Sequence, residues 1–219
     1  MGTIFIAGSY GVGKSTLCDN LSRVSGVPAY SAGDLISCIN GEQYGANKVV
    51  QDKEANQDIL VIEVGKKLDH YPTILLAGHF CIFDSLNNVD KLPYSVFQKI
   101  ALDQILLLEA EPSRILSNLS LRDNKKYRLE HIRLLLKAER QMAQEVAKQC
   151  GCSLHIHPCG CCALCRGLVG AWKSSRAHIG GLRRTGKTAF SLRQLALSTL
   201  LRPHETEHLA AAKCSVSWG

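Results

Sequence analysis

The chain has 219 residues, 46% of them hydrophobic and 21% charged, and a formal net charge of +7. This balance excludes a disordered or collagen-like chain and suits one sizeable α/β domain with an appendage. No apolar run approaches the roughly 18 residues that a membrane-spanning helix needs, so no membrane partner is expected.

The charge is unevenly placed. Residues 1–159 carry 17 Lys and Arg against 17 Asp and Glu, whereas residues 160–219 carry nine basic residues against Glu205 and Glu207. Nucleic acid is therefore an expected partner only through the basic tail.

An apolar strand, Thr3–Ala7, runs directly into Gly8–Thr16, GSYGVGKST. So little sequence precedes the glycines that no signal peptide fits, and a cytoplasmic location is expected. There the ten cysteines stay as thiols rather than forming a disulfide framework. Gly8, Gly13, Lys14 and Ser15 match G-x-x-x-x-G-K-[ST], with a further glycine at Gly11. Glycines let the backbone turn its N–H groups inward around phosphates. Lys14 brings a charge to the β and γ oxygens, Ser15 offers a hydroxyl to Mg²⁺, and the following helix points its positive end at the anion. Gly8, Gly11, Gly13, Lys14, Ser15 and Thr16 are thus the candidate nucleotide-binding residues, with ATP and Mg²⁺ as expected ligands.

A helix over Lys14–Ser25 follows the loop, then a short strand, Ala29–Ala32, and a short helix, Gly33–Ile39. Glu54–Leu68 places Leu60, Val64 and Leu68 a turn apart. Thr73–Ala77 and Gln104–Leu108 read as strands. Pro112–Ser120 opens with proline in its first turn, and Arg128–Lys148 carries Ile132, Leu135, Met142 and Val146 on one face. Ser153–His157 is the last strand. Continuous apolar runs such as ILLA and ILLL belong to parallel strands covered on both faces. The expected domain, residues 1–158, is a doubly wound α/β fold with a mostly parallel five-stranded sheet.

Leu121–Arg128, LRDNKKYR, crowds Arg122, Lys125, Lys126 and Arg128 into an otherwise neutral domain. A solvated loop between helices accounts for it, and so does a cationic lid. Beside a phosphate loop the lid is the better reading, because phosphoryl transfer needs cations for the migrating charge and a pocket closed to water.

The order of GSYGVGKST, YSAGDLI, ILLAGHFCIF, DQILLLEAEPSRIL and LRDNKKYR resembles the archaeal-type adenylate kinases and their eukaryotic nuclear relatives. These belong to the P-loop nucleoside monophosphate kinases, and the resemblance covers Met1 to about Pro158. It implies a fold of P-loop kinase type in which Gly8–Thr16 holds ATP and Gly33–Leu35 opens the acceptor site. Arg122 and Arg128 would gather phosphates, and Asn56, Gln57 and Asp58 would face the acceptor. Such kinases commonly carry an acid at the end of the third strand, but this chain has Ala77, Gly78 and His79, with no carboxylate until Asp84. Either Asp34 supplies that function from the end of the second strand, or Asp84 reaches round, or catalysis is impaired; Asp34, together with Ser15, is taken as the Mg²⁺ site. His79 does not suit Mg²⁺, which prefers oxygen ligands; it is read as a hydrogen-bond partner of the acceptor or as a packed loop histidine.

The activity so implied is transfer of the γ-phosphoryl group of Mg-ATP to a nucleoside monophosphate, by a monomer. Lys14, Asp34, Arg122 and Arg128 form the catalytic set. A kinase of another small molecule or of a polynucleotide end, and a regulatory NTP-binding ATPase, stay open beside it.

Residues 159–219 read as a basic Cys- and Arg-rich tail of low regularity, with an amphipathic stretch at Ala189–Leu201. Its readings are a poorly ordered extension, a nucleic-acid-binding arm, or coding sequence read past an original end. Six cysteines fall between Cys150 and Cys165, but only Cys162 and Cys165 have the spacing of a zinc knuckle, so thiols are expected there rather than a metal. Gly181–Thr188, GLRRTGKT, has half the form of a second phosphate loop and no strand leading into it.

Overall fold

The computed structural model describes residues 2–41, 53–84, 86–122 and 127–158. The chain opens with β1 (Thr3–Gly8), α1 (Lys14–Ser25), β2 (Ala29–Ser31), α2 (Ala32–Asn40), α3 (Lys53–His70) and β3 (Ile74–Ala77). A hairpin, β4 (Cys81–Phe83) and β5 (Val89–Lys91), then leads into α4 (Tyr94–Lys99) and β6 (Leu102–Glu109). The described chain ends with α5 (Pro112–Arg122), α6 (Leu129–Cys150) and β7 (Ser153–Pro158).

The main sheet has five strands in the order β2-β3-β1-β6-β7. Every pair in it is parallel, with Ile4 beside Leu75 and Gln104, and Leu106 beside His155. All five expected strands are present, and the fold is the doubly wound one. The hairpin and α4 were not expected from the sequence. Their apolar residues are few and interrupted, and three-residue strands are too short to set up a period.

Alternation along each strand divides the interior in two. Phe5, Ala7, Ile74, Leu76, Ile105 and Leu107 face one side, where α2, α3, α4 and α6 supply Ile36, Leu60, Val64, Phe97 and Met142. Ile4, Ile6, Leu75, Ala77, Leu106 and Leu108 face the other, against Leu17, Cys18 and Leu21 of α1. Each fully buried Leu, Ile or Phe contributes roughly 1.5–3 kcal/mol. Because both faces are covered, β1 is buried along its whole length and shows no polar alternation.

β1 is the strand from which the chain winds outward in both directions, first through β2 and β3, later through β6 and β7. In open α/β sheets the crevice outside the carboxyl ends of strands at such a switch point is where ligands are bound. No described helix is long and apolar enough to cross a membrane.

Candidate active site

The glycine loop lies in that crevice. Gly8, Gly11 and Gly13 all have positive φ (143°, 70° and 101°), a region costly for a residue with a Cβ. Gly8 has a second constraint: a Cβ there would lie 2.5 Å from the Leu108 carbonyl oxygen of β6. Gly13 is different, because a Cβ there would meet nothing within 4 Å and would project into open space.

Gly13 is also the N-cap of α1. It has no side chain with which to cap the helix, and the first turn carries no acid. The first-turn N–H groups and the positive helix end are thus left for an anion. Lys14 Nζ donates to the carbonyls of Gly8 and Ser9, 2.9 Å each, folding the side chain over its own loop. Across the loop, Asn118 Nδ2 of α5 donates to the Gly11 carbonyl at 2.9 Å, bracing the turn.

A cavity of about 400 Å³ extends from this loop over the ends of β1 and β3. Gly11, Gly13, Lys14, Ser15 and Thr16 line its phosphate end, and Arg122 reaches it from α5. Ser31, Ala32 and Gly33 from the β2–α2 junction line the second end, with Asn56 and Gln57 of α3. Phe5, Ile36, Leu60, Ile82, Val96 and Phe97 make its floor apolar. The unexpected hairpin and α4 therefore build the wall of this second chamber. Within it, Asn56 Oδ1 accepts a hydrogen bond from Asn40 Nδ2 at 2.7 Å. Asn56 Nδ2 and Gln57 Oε1 are buried with no partner among the described residues. Asn56 is 3% exposed and Gln57 9%, so each leaves a polar atom that a ligand can satisfy.

Most of the site residues expected from the sequence meet here: Gly11, Gly13, Lys14, Ser15, Thr16, Gly33, Asn56, Gln57 and Arg122 all line the cavity, and Gly8 shapes its loop. Asp34 does not. It sits exposed in the first turn of α2, where its backbone N–H is capped by Ser31 Oγ at 3.4 Å, and it does not line the cavity. The helix starting at Ala32 turns Gly33 inward and Asp34 outward, one residue apart. Arg128 is exposed too, as the N-cap of α6, and does not line the cavity. Residues 123–126 of the expected lid, the cysteines from Cys159 onward and Gly181–Thr188 lie outside the described residues. Among the described residues no cluster of His, Cys, Asp or Glu could hold a metal ion.

One charged residue of the site was missed. Glu139 projects from α6 and is 1% exposed. Its Oε1 accepts from the N–H groups of Phe80 and Cys81, 3.1 Å each, and Oε2 lies 3.2 Å from the Phe80 nitrogen. Burial pushes the carboxyl up to about 7, while the Cys81 N–H, the Lys14 charge and the Phe80 N–H pull it back down. The sequence held a signal for it. Ile132, Leu135, Met142 and Val146 are spaced three, seven and four apart, and position 139 fills the gap in that buried stripe. An acid at a core position is rare unless paired, which marks it for attention.

Glu139 Oε1 is also 3.6 Å from His79 Nδ1. His79 lines the cavity at the end of β3 and packs against Tyr10 of the phosphate loop, with ring centroids 4.3 Å apart. Tyr10 stacks in turn on Phe83 of the hairpin at 6.0 Å. Its hydroxyl is held far above the ordinary range, mainly by burial.

A family model described as an AAA domain matches residues 7–134, more than half of the chain. No curated protein matches the sequence. Among solved structures, a shikimate kinase from Acinetobacter baumannii is 15% identical, over 92% of this chain and 96% of that one, with a TM-score of 0.49. A shikimate kinase from Aquifex aeolicus is 13% identical over 82% and 99%, also at 0.49. A gluconokinase from Sinorhizobium meliloti is 11% identical over 91% and 93%, at 0.44. Likenesses this distant lend no weight to any particular substrate.

Proposed function

The chain belongs to the AAA-domain family whose model it matches, and we propose that it is an ATP-dependent phosphotransferase acting on a nucleoside monophosphate. One observation carries the reading: a single cavity joins the phosphate loop to a second, mostly apolar chamber with two unsatisfied amide groups, Asn56 Nδ2 and Gln57 Oε1. A loop that only hydrolysed ATP would need no such chamber. A flat aromatic base with donor and acceptor groups on its edge satisfies both amides and covers the apolar floor.

Gly8–Thr16 would hold the triphosphate. Lys14 would leave the Gly8 and Ser9 carbonyls and move to the β and γ oxygens. Ser15 is the cavity residue that would hold Mg²⁺, which would supply charge neutralisation there. Arg122 adds a cation at the mouth. The protein's contribution is positioning, charge and exclusion of water.

A second reading, a small hydroxyl-bearing acceptor, is favoured by the scarcity of charge: Lys14 and Arg122 are the only Lys or Arg among the described residues lining the cavity. The test offers γ-labelled ATP with AMP, other monophosphates, sugars and oligonucleotides. Label transferred to a monophosphate supports the first reading, and transfer to a sugar supports the second. Phosphate release that ignores every acceptor refutes both.

A further inference from the structure

We propose that Glu139 is the positioning residue of an oxyanion subsite: it holds His79 as an imidazolium at the end of β3, presenting a ring N–H to the acceptor's phosphate. The proposal deepens the phosphotransfer reading and rests on it for the identity of that anion. Its geometry stands independently.

The carboxylate is anchored first. With the N–H groups of Phe80 and Cys81 both directed at it, Glu139 is fixed in orientation, and those two bonds draw back toward the anion a carboxyl that burial, at 1% exposure, pushes up. His79 Nδ1 then stands 3.6 Å from Oε1, within ion-pair range. An opposite charge at that separation favours the protonated imidazole, and the imidazolium offsets the cost of a buried carboxylate. Tyr10 packs on the ring and restrains its plane. With Nδ1 turned to Glu139, Nε2 is the other donor of a residue that lines the cavity. The subsite adds a cation where the cavity is otherwise short of them.

Among the described residues, the titratable or charged groups around the pair include Lys14, Tyr10 and Cys81, with Arg122 and Tyr127 acting on Tyr10 and Lys91 and Glu145 on Cys81. Burial holds the Tyr10 hydroxyl and the Cys81 thiol neutral near pH 7. Lys14 biases the Glu139 carboxyl toward the carboxylate.

The test has two parts. In the full-length protein the His79 ring C–H resonance, assigned by its loss in H79N, is titrated by NMR in wild type and E139Q. The proposal expects the proton affinity of His79 to fall about tenfold or more in E139Q. If E139Q does not fold, the reciprocal measurement serves: the ¹³C carboxyl signal of Glu139 titrates at higher pH in H79N than in wild type. An unchanged titration overturns the proposal.

The second part measures binding of AMP and of adenosine with the phosphate loop filled by a non-hydrolysable Mg-ATP analogue. AMP affinity should fall about tenfold in H79N and E139Q, and also in wild type as pH rises through the His79 titration, while adenosine affinity stays unchanged. Equal losses for AMP and adenosine, or no loss, overturn it. If wild type does not bind AMP, the monophosphate reading fails by itself. Inorganic phosphate then replaces AMP as probe: weaker binding in H79N supports the subsite, and unchanged binding overturns it.

Discussion

Replacing Gly78 with alanine puts one methyl group at a crowded point of the cavity wall. A Cβ there would lie 2.6 Å from Phe5 Cε2 and 2.7 Å from Cζ, inside any contact that carbon atoms tolerate. Gly78 cannot withdraw, because its N–H is bonded to the Ile6 carbonyl at 3.1 Å. Phe5 cannot easily yield either. It is 2% exposed and set edge-on against Phe80 and Phe97, with centroids 5.1 and 5.7 Å away. Overpacking of this kind costs about 1–3 kcal/mol, and a trapped aromatic neighbour places Gly78→Ala in the upper half of that range.

Urea denaturation of the wild type, Gly78→Ala, Phe5→Leu and the double variant measures it. Phe5→Leu alone loses roughly 1 kcal/mol or more of buried aromatic contact. In the double variant the shorter side chain makes room for the new methyl, so the two changes should cost about 1–2 kcal/mol less together than their sum. A Gly78→Ala cost below about 0.5 kcal/mol, or strict additivity, refutes the steric account.

Lys14→Met removes the loop hydrogen bonds of a half-buried side chain, a small change in stability, yet should lower phosphotransfer about 10²–10³-fold in a coupled ADP assay. Asp34→Asn should retain transfer within about threefold, because the side chain is exposed and off the cavity; a loss near that of Lys14→Met would restore Asp34 as the Mg²⁺-site acid. Burial pushes the Cys18 and Cys81 thiols up to about 12. The folded state therefore binds their protons more tightly than the unfolded state, so their contribution is fully present below about pH 9 and declines toward pH 12, by roughly 1 kcal/mol per pH step for each thiol. Urea midpoints at pH 8 and pH 10 read this, and mass-resolved alkylation at pH 8 should modify exposed Cys38 well before either buried thiol. Equal labelling of all three contradicts it.

Local rules made much of this molecule legible. The apolar strands, the glycine loop and the amphipathic helices each declare themselves over a few residues, because strand and helix periods and the φ demands of a phosphate cradle are short-range properties. Asp34 lies off the cavity because the helix begins at Ala32: one residue of helical phase turns Gly33 toward the cavity and Asp34 toward solvent. The hairpin and α4 escaped notice because their elements are held by the groups they cover rather than by pattern. Glu139 is the clearest instance. In sequence it stands 60 residues from His79, and only the packing of α6 across the end of β3 brings the two within 3.6 Å.

By itself the sequence determined that a glycine loop of the form that suits a nucleotide phosphate, Gly8–Thr16, follows β1 on a parallel sheet covered on both faces. The tertiary structure decided what surrounds that phosphate. An apolar chamber with two waiting amides and a buried Glu139 beside His79 both arise from contacts between distant elements, which no local period encodes. Local conformation follows from near neighbours along the chain, whereas the chemistry of a cavity follows from which side chains burial forces together.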